Sequence, residues 1–457
     1  MMSSFIEKEI SYSINFSQEL LYIILSSYIS KKYALVQEYA DFVDENDVRS
    51  RLIGNRFENT HKTPQYLQKR VFIHDNVLMP LVDRTSVEQG VNHDQVSSTL
   101  KRISTCQVYK TVEQPQIEIK FEKVYFEKNV GDTFDSLIAT KQVALLNLLQ
   151  NKHERITQNS HLGSDEIMVY MRIEYEYDGD APDDLVLKHM ARIVAEIDAH
   201  THYQNIAPML PYTALQNNII YRKFEDEKLI NNALSPNDNV HKWAIKLDGI
   251  RGKGLFVRNF IIVFMDDMRM FSGPFPWLFC VNNVVAFQCE LVNDTVLYIT
   301  DLLQVFKYTY NNRTQYECSL NGYAIEPVAA IECLNYLHFN TKRTLEINHD
   351  KGTIQVQFQQ FMNPPIAIGG YTTVPTDGYI ILNKQMQYVK CKHAKTLELE
   401  YNSEQSVFYT LEGALEKYKI ESDIQLENGK IYEVMVKQNN VLSVIKLRTD
   451  RLIAQTL

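Results

Sequence analysis

Short runs rich in valine, isoleucine, tyrosine and phenylalanine recur along this chain of 457 residues. These residue types are enriched in strands, where side chains point alternately to opposite faces of a sheet. In the first half, the segments 70–75, 99–111, 116–127 and 166–177 are predicted strands. In the second half, 254–265, 281–292 and 378–383 are predicted strands as well. The sequence therefore predicts an α+β fold that consists mostly of sheet.

Helical periodicity is confined to three segments, 17–45, 134–151 and 183–199, the first of which opens with Ser17 as an N-cap. A polar stretch at 231–239 is the best linker candidate. The last 61 residues, 397–457, have the size and turns of a five-stranded barrel. We therefore predict a first domain at 1–230, a linker at 231–239, a second domain at 240–395 and a small barrel of the OB type at 396–457.

Composition excludes several classes of protein. A net charge of −9 argues against a protein that coats nucleic acid through bulk electrostatics. The six cysteines include no Cys-x-x-Cys pair, which makes a zinc ribbon or a disulfide framework improbable and fits reduced thiols inside a cell. The N-terminus lacks the apolar segment of a signal peptide, and the apolar run at 20–29 is too short to span a bilayer. We expect a soluble intracellular protein.

The most specific feature is the pattern Lys-Leu-Asp-Gly-Ile-Arg, which begins at Lys246 and ends at Arg251 between two predicted strands. A lysine at such a junction is a nucleophile once its ammonium loses a proton, and nearby cations, a metal or desolvation favour that loss. Gly249 allows the backbone to approach a ligand closely. By itself, a pattern of six residues also fits a surface turn that happens to carry a lysine.

Charged segments follow this lysine in a fixed order. They are Glu290 at the end of a strand, Asp301 after an aromatic segment, Asp377 before a glycine, Lys390 and Lys392 on one strand face, and Arg448, Asp450 and Arg451 near the C-terminus. This order resembles the covalent lysine nucleotidyltransferases, the superfamily of capping guanylyltransferases and ATP-dependent ligases. The segment 298–301 matches its motif loosely, and Arg451 stands where lysine is usual. Arginine keeps the charge but not the geometry of lysine.

The resemblance implies a role for each of these residues. Lys246 would attack the α-phosphate of GTP and hold GMP as a phosphoramidate while pyrophosphate leaves. Arg251 and Glu290 would contact the ribose, and Asp377 would bind a metal ion. The two strand lysines would neutralise the α-phosphate, and the two C-terminal arginines would orient the β- and γ-phosphates. The implied catalytic set is completed by Asp301, Lys390, Lys392, Arg448, Asp450 and Arg451.

Two pairs of glutamates at spacing two form a second candidate site, Glu7 with Glu9 and Glu174 with Glu176. On a strand, residues i and i+2 share a face, so each pair presents two carboxylates side by side. Such carboxylates repel one another unless a cation lies between them, and Mg²⁺ or Mn²⁺ prefers oxygen ligands. Arg172, on the same face as Glu174, suits a phosphate. Either pair alone is better explained by the exposed face of a strand, which often carries alternating glutamates.

Two such pairs at opposite ends of one domain resemble the metal-dependent tunnel-fold RNA triphosphatases, whose first and last strands supply glutamates. The resemblance implies a β-tunnel within residues 1–230, in which the four glutamates hold one Mg²⁺ or Mn²⁺ ion. In that family, basic residues on other strands bind the γ-phosphate. Candidates for this role and for accompanying acids are Arg49, Arg51, Arg70, Lys101, Arg102, Lys120, Arg172, Glu88 and Glu118.

Taken together, the two halves resemble bifunctional mRNA capping subunits of viral RNA polymerases. This resemblance implies 5′-triphosphate RNA and GTP as substrates, polymerase subunits as partners, no membrane, and residence in the host nucleus. An ATP-dependent polynucleotide ligase would use the same lysine but would have no use for the acidic first half. A structural polymerase subunit with relic sites would have no reason to keep Lys246 and Arg251. Residue types alone leave the choice between GTP and ATP open.

Overall fold

The structure, a computed structural model, describes residues 4–127, 168–201, 212–230, 239–276, 278–280, 283–311, 315–342, 344–349, 352–367, 374–437 and 439–455. Most of the described chain is sheet, as the sequence predicts. None of its described helices is long and apolar enough to cross a membrane. The chain forms two compact units, the first made of Met1–Ala214, Leu278–Val284 and Val305–Ile325 and the second of Leu215–Trp277, Val285–Gln304 and Glu326–Leu457. The predicted boundaries near 230, 240 and 396 stay predictions.

The first unit contains a closed barrel of eight strands. They are β1 (Ser4–Ile14), β2 (Ala34–Asp44), β3 (Val48–Ile53), β4 (Arg56–His74), β5 (Val77–Gly90), β6 (Leu100–Lys110), β7 (Ile117–Glu127) and β8 (Met168–Glu176). The order around the barrel is β1-β5-β4-β3-β2-β6-β7-β8, and antiparallel pairing of β8 with β1 closes it. Closure leaves this sheet without a free edge.

One wall of the barrel is apolar outside and charged inside. Residues 10, 12 and 14 of β1 are buried outside the barrel with the matching residues of β7 and β8. They pack there against helices α1 (Gln18–Ile24) and α3 (Asp184–Thr201) and against the π-helical turn Leu25–Ile29, which leads into the short α2 (Ser30–Lys32). The alternate residues of the same strands carry the charges. A short 3₁₀ turn, His93–Gln95, precedes β6. Along this wall, core packing thus lies outside the barrel and leaves the inner face of the strands charged.

The structure confirms the four strands predicted in the first half and the helix predicted at 183–199. Ser17 is an N-cap, because its hydroxyl accepts a hydrogen bond from the backbone N–H of Leu20 at 3.3 Å. The helix predicted at 17–45 is wrong beyond residue 32, since Ala34–Asp44 forms β2 and pairs with both β3 and β6. Pairing on both edges overrides the local periodicity. The helix predicted at 134–151 and linker residues 231–238 lie outside the described residues.

The described residues from 212 to 395 form two further sheets and two helices. The helices are α4 (Tyr212–Asn218) and α5 (Pro327–Asn340). The strands are β9 (Asp226–Leu229), β10 (Val240–Leu247), β11 (Ile250–Val257), β12 (Phe260–Met265), β13 (Met270–Pro274), β14 (Asn283–Val292), β15 (Val296–Asn311), β16 (Gln315–Cys318), β17 (Tyr323–Ala324), β18 (Leu345–His349), β19 (Gly352–Phe358), β20 (Thr376–Asn383) and β21 (Tyr388–Lys392). One sheet has the order β10-β20-β21-β9. The other has the order β13-β12-β11-β14-β15-β19-β18, with β16 and β17 also paired to β15.

The C-terminal segment contains six hydrogen-bonded strands where the sequence predicts five. They are β22 (Thr396–Asn402), β23 (Val407–Thr410), β24 (Gly413–Ala414), β25 (Lys419–Glu421), β26 (Ile431–Lys437) and β27 (Val441–Leu447), in the order β24-β23-β22-β26-β27-β25. The sequence underestimates the number of strands because β24 and β25 are two and three residues long, which is too short for a period of two to be recognised.

Candidate active sites

A cavity of about 270 Å³ in the second unit brings together most of the predicted nucleotidyltransferase residues. The predicted residues that line it are Lys246, Arg251, Glu290, Lys390, Lys392, Arg448 and Arg451. Asp377 and Asp450 do not line the cavity themselves, but each lies within 3 Å of a residue that does. Residues separated by up to 205 positions thus meet at one place.

Lys246 lies near the end of β10, where the strand pairs with β20. Its Nζ donates a hydrogen bond to Oδ2 of Asp377 at 2.9 Å, and Nζ of Lys392 lies 4.0 Å from the same oxygen. Gly378 has a φ of 112°, and a Cβ there would overlap the carbonyl oxygen of Cys391. Only glycine therefore allows β20 to hold Asp377 against the lysine. The arrangement gives Lys246 an adjacent proton acceptor and a neighbouring cation.

Glu290 lies opposite Arg251 in the pairing of β11 with β14. Its Oε1 accepts a hydrogen bond from the backbone N–H of Gly249 at 3.0 Å. Burial raises the pKa of the Glu290 carboxyl to about 7, although the charge of Lys246 and the Gly249 N–H both oppose the rise. The carboxyl is thus able to accept or donate a hydrogen bond near neutral pH.

Arg251 is held by two residues that the sequence analysis missed. Its Nε donates to Asp266 Oδ2 at 2.8 Å, and its Cζ lies 4.1 Å from the centre of the Tyr221 ring. The Tyr221 hydroxyl also donates to Asp266, at 2.6 Å. These contacts fix the guanidinium plane beside the cavity. Neither partner belongs to a recognisable motif, and Asp266 stands out only as an acid directly after a predicted strand.

Lys390 and Lys392 lie on one face of β21, as their spacing predicts. Their Nζ atoms lie 3.2 and 3.5 Å from the two carboxylate oxygens of Glu227 on the adjacent β9. Nζ of Lys390 also lies 5.2 Å from the centre of the Phe224 ring. The carboxylate of Glu227, another residue that the sequence analysis missed, thus occupies the position where a phosphate would pair with both lysines.

The C-terminal arginines line the cavity and are held in place by carboxylates. Arg448 pairs with Glu398 at 2.7 Å and with Asp450 at 2.8 Å, and Nε of Arg451 lies 3.0 Å from Glu398. Two residues before Arg448, within β27, Nζ of Lys446 lies 2.5 Å from Oδ1 of Asp248. Asp248 belongs to the lysine motif, so Lys446 ties β27 directly to it. The recognised C-terminal motif begins at Arg448, directly after β27 ends at Leu447, and the motif order therefore does not include Lys446.

Asp301 is not brought to the cavity, although its neighbour Thr300 lines it. The Asp301 carboxylate is 5% exposed and accepts hydrogen bonds from Arg222 at 2.5 and 3.3 Å. A buried, doubly bonded ion pair of this kind orders the surrounding structure. This position agrees with the loose match of segment 298–301 to its motif.

The barrel of the first unit encloses a second cavity, of about 430 Å³. Its charged lining residues are six glutamates, at 7, 9, 58, 88, 174 and 176, and six basic residues, Arg49, Arg51, Lys62, Arg84, Lys120 and Arg172. Glu9 lies directly opposite Glu176 where β1 pairs with β8, so barrel closure unites the two predicted glutamate pairs. A charged barrel interior that encloses a cavity is not a packed core and has room for a ligand.

Not every predicted residue of the first half reaches this cavity. Arg70, Lys101 and Arg102 are absent from its lining; they pair instead with Asp83, with Asp47 and with both Glu122 and Glu127. Glu118 lies beside the lining, because it pairs with Lys120 at 3.1 Å and with Lys110 at 3.0 Å. The sequence analysis missed Glu58, Lys62 and Arg84. Their signal was the period of two along β4 and β5, but the predicted strand at 70–75 covers only the end of β4, and no strand was predicted over β5.

Most of the barrel carboxylates are neutralised by basic side chains. Lys62 contacts Glu7 and Glu9, and Lys120 contacts Glu174. Among the described residues, no three His, Cys, Asp or Glu side chains are grouped so that they could hold one metal ion. The donor set itself, several carboxylates around one cavity, is of the kind that Mg²⁺ and Mn²⁺ prefer. A metal ion therefore fits these residues only if the lysines move aside.

Two side chains of this cavity favour charged ligands. Among the ion pairs of the described residues, none involves Glu176, whose pKa is raised by burial and by the negative charge of Glu7. A cation beside the two carboxylates would remove that repulsion. Arg49 donates through Nη2 to Thr60 at 3.1 Å, whereas its buried Nε has no hydrogen-bond partner in the described chain. Its Nη2 also lies 3.4 Å from Glu88, so the guanidinium that lines the cavity already pairs with one carboxylate and keeps an unsatisfied N–H, which favours an anionic ligand.

Comparison with known proteins gives one consistent answer. The chain matches the family described as Late expression factor 4 (LEF-4) over residues 7–455. It is 46% identical over 460 residues to the mRNA capping enzyme LEF-4 of Autographa californica nuclear polyhedrosis virus, with 98% of each chain covered. It is 41% identical over 457 residues to the mRNA capping enzyme LEF-4 of Orgyia pseudotsugata multicapsid polyhedrosis virus, again with 98% of each chain covered. Family match and near-complete coverage agree, and the chain belongs to the late expression factor 4 family.

Proposed function

We propose that this protein is a bifunctional mRNA capping enzyme. Its barrel would remove the γ-phosphate from 5′-triphosphate RNA, and its second unit would transfer GMP from GTP to the resulting 5′-diphosphate end. The relatives named as mRNA capping enzymes support capping as the overall activity. The observation that carries the proposal is the position of the Lys246 ammonium, 2.9 Å from Asp377 in a cavity that Lys390, Lys392 and two arginines also line.

The first step at Lys246 is attack on the α-phosphorus of GTP. The ammonium must first lose a proton to solvent, a loss that the nearby Lys392 ammonium favours and that a metal ion on Asp377 would favour further. The lysine nitrogen then forms a bond to phosphorus while the bond to the β-phosphate oxygen breaks, and pyrophosphate leaves. Lys390 and Lys392 would exchange Glu227 for the α-phosphate, whose negative charge would replace that carboxylate.

The second step takes place at the same phosphorus, and the lysine nitrogen is now the leaving group. A terminal oxygen of the RNA 5′-diphosphate attacks the lysine-bound GMP, the phosphorus–nitrogen bond breaks, and the nitrogen recovers a proton. Arg448 and Arg451 would orient the β- and γ-phosphates of GTP in the first step. Glu290 and Arg251 would bind the ribose, since both line the cavity and are held by backbone and side-chain hydrogen bonds.

The barrel supplies the residues for hydrolysis of the RNA γ-phosphate. Arg49, Lys120 and Arg172 would bind the phosphates, and the unsatisfied Nε of Arg49 supports this role. Glu7, Glu9, Glu174 and Glu176 would hold Mg²⁺ or Mn²⁺, which when bound neutralises phosphate charge and activates water. Asp377 would hold such an ion in the other cavity. Glu176 would orient the attacking water within the charged interior.

The proposal extends to the domain layout. Residues 1–230 would be a tunnel-type triphosphatase domain, 240–395 a nucleotidyltransferase domain and 396–457 a barrel domain of the OB type. The eight-stranded closed barrel and the six-stranded C-terminal sheet support the first and last of these assignments. We further propose that the protein acts with viral RNA polymerase subunits in the host nucleus, as its resemblance to capping subunits implies.

Labelling with radioactive nucleotide tests the proposal against the ligase alternative. The full chain is incubated with α-labelled GTP or α-labelled ATP plus Mg²⁺ or Mn²⁺, and protein-bound label is separated on a denaturing gel. We expect GTP to label the protein and added pyrophosphate to remove the label. Labelling by ATP alone, together with sealing of a nicked duplex, would contradict the capping proposal and support a ligase.

A further inference from the structure

Lys62 sits among three carboxylates of the barrel cavity. Its Nζ contacts Glu7 and lies 3.1 Å from Glu9 and 3.6 Å from Glu88. The four side chains are between 7% and 22% exposed, so water screens these contacts only weakly. Lys62 lies on β4 directly opposite Glu88 on β5, and β5 in turn pairs with β1, which carries the other two acids. The backbone therefore aims the ammonium at the carboxylates.

This ammonium occupies the position that a metal ion bound by Glu7 and Glu9 would need. Mg²⁺ requires ligand oxygens at about 2.0–2.1 Å, whereas an ammonium keeps them near 2.8–3 Å. The same oxygens cannot satisfy both cations at once, and a divalent ion would also repel the ammonium. Glu9 is engaged further, because its second oxygen lies 3.3 Å from Arg84. Metal entry therefore requires displacement of a basic side chain.

We propose that Lys62 is a built-in counterion that exchanges with a divalent metal ion, so that metal binding frees its ammonium to bind the RNA triphosphate. This inference rests on the proposed triphosphatase function. The lysine stem is flexible and carries a compact charge, which suits movement between two partners. A cavity with six basic and six acidic lining residues would gain excess positive charge on metal binding, and the polyanionic RNA end would neutralise it. Lys62 would thus couple metal binding to substrate binding.

The exchange has a measurable consequence for metal affinity. Because Lys62 competes for the carboxylates, the apparent affinity for the metal ion equals the intrinsic affinity multiplied by the fraction of time for which Lys62 leaves the carboxylates free. If the ammonium occupies them for nine-tenths of the time, removal of the charge tightens metal binding about tenfold. The same removal takes one cation from three converging carboxylates, of which Glu9 keeps Arg84 and Glu88 keeps Arg49. The metal-free protein therefore becomes less stable.

The test is a titration of the full chain with Mn²⁺ alone, in which free Mn²⁺ is followed by electron paramagnetic resonance. Wild type is compared with Lys62→Met, which keeps the length of the side chain, and with the control Lys101→Met, whose lysine pairs with the exposed Asp47 outside the cavity. Glu9→Ala identifies which binding event belongs to the barrel. We expect about tenfold tighter Mn²⁺ binding in Lys62→Met, no change in Lys101→Met, and a lower thermal midpoint of Lys62→Met in EDTA that Mn²⁺ restores.

Equal or weaker Mn²⁺ binding in folded Lys62→Met would overturn the exchange while leaving the triphosphatase proposal intact. If Lys62→Met does not fold, the same titration of Lys62→Gln decides the question by the same criteria. If Glu9→Ala binds Mn²⁺ in the same way as the wild type, the barrel holds no metal. Both the exchange and the metal-dependent triphosphatase are then contradicted.

Discussion

The backbone N–H of Gly249 donates a hydrogen bond to Oε1 of Glu290 at 3.0 Å, which joins the lysine motif to a strand 41 residues later. Gly249 follows β10 and precedes β11, and β11 pairs with the strand that carries Glu290. The hydrogen bond thus holds the turn after Lys246 against Glu290, which lines the cavity. Both partners have properties that can be tested separately, the raised pKa of Glu290 and the close backbone approach at Gly249.

Stability should depend on the protonation of Glu290. The folded pKa of about 7 lies above the unfolded value near 4.5, so the folded chain retains a proton that the unfolded chain loses between these values. The stabilisation is complete below pH 4.5 and is lost as the pH rises through 7. We expect wild type to lose on the order of 2 kcal/mol relative to Glu290→Gln between pH 5 and pH 8. Urea unfolding of both proteins at the two pH values measures the difference, and parallel stabilities would contradict the raised pKa.

Replacement of Gly249 by alanine should damage the lysine site. A Cβ at this position would overlap the carbonyl oxygen of Leu291, so β11 and β14 would have to separate. We expect Gly249→Ala to lose about 1–3 kcal/mol of stability and most of its GTP labelling. Gly90→Ala is the matched control, since a Cβ at Gly90 has no atom within 4 Å. Full labelling by Gly249→Ala would show that the turn tolerates the strand separation.

Loss of a barrel carboxylate should affect only one of the two activities. Glu9 and Glu176 are cross-strand partners in the barrel, far in sequence from the residues around Lys246. We expect Glu9→Ala and Glu176→Ala each to lower γ-phosphate release from triphosphate RNA by about 10²-fold or more, or at least about 3 kcal/mol in the barrier. GTP labelling should survive in both. Wild-type phosphate release in either variant, or metal-independent release in the parent, would remove the triphosphatase assignment.

For the barrel site, the sequence predicts which residues share one face of a strand, but it does not predict which strands pair to close the barrel. The period of two places Glu7 with Glu9, and Glu174 with Glu176, without any structure. It cannot show that β1 pairs with β8, because that contact joins positions 167 apart. Lys62 and Arg84 escaped notice for the same reason, since their value as cavity residues depends on pairing with strands distant in sequence. Arg70 and Arg102 look equally suitable in sequence but pair elsewhere.

The residues predicted for nucleotidyl transfer were easier to find in the sequence because their motifs are short and ordered. Lys246, Glu290 and Lys392 all line the cavity that the motif order implies. The exceptions depend on tertiary contacts with no local signature. Asp301 forms an ion pair with Arg222 and does not line the cavity. Lys446 contacts Asp248 only because the C-terminal sheet lies against the lysine motif. The helix predicted beyond residue 32 failed because β2 gains hydrogen bonds on both edges, which local periodicity does not register.

Labelling by α-labelled GTP in the Lys246→Ala variant tests the central claim most directly. Lys242→Ala is the matched control, because Lys242 lies on the same strand but bonds the side chain of Asn363 outside the cavity. Both variants are also assayed for γ-phosphate release from RNA. We expect Lys246→Ala to form no protein–GMP adduct while it releases phosphate at nearly the wild-type rate, and Lys242→Ala to retain both activities. A protein–GMP adduct in Lys246→Ala would contradict the account.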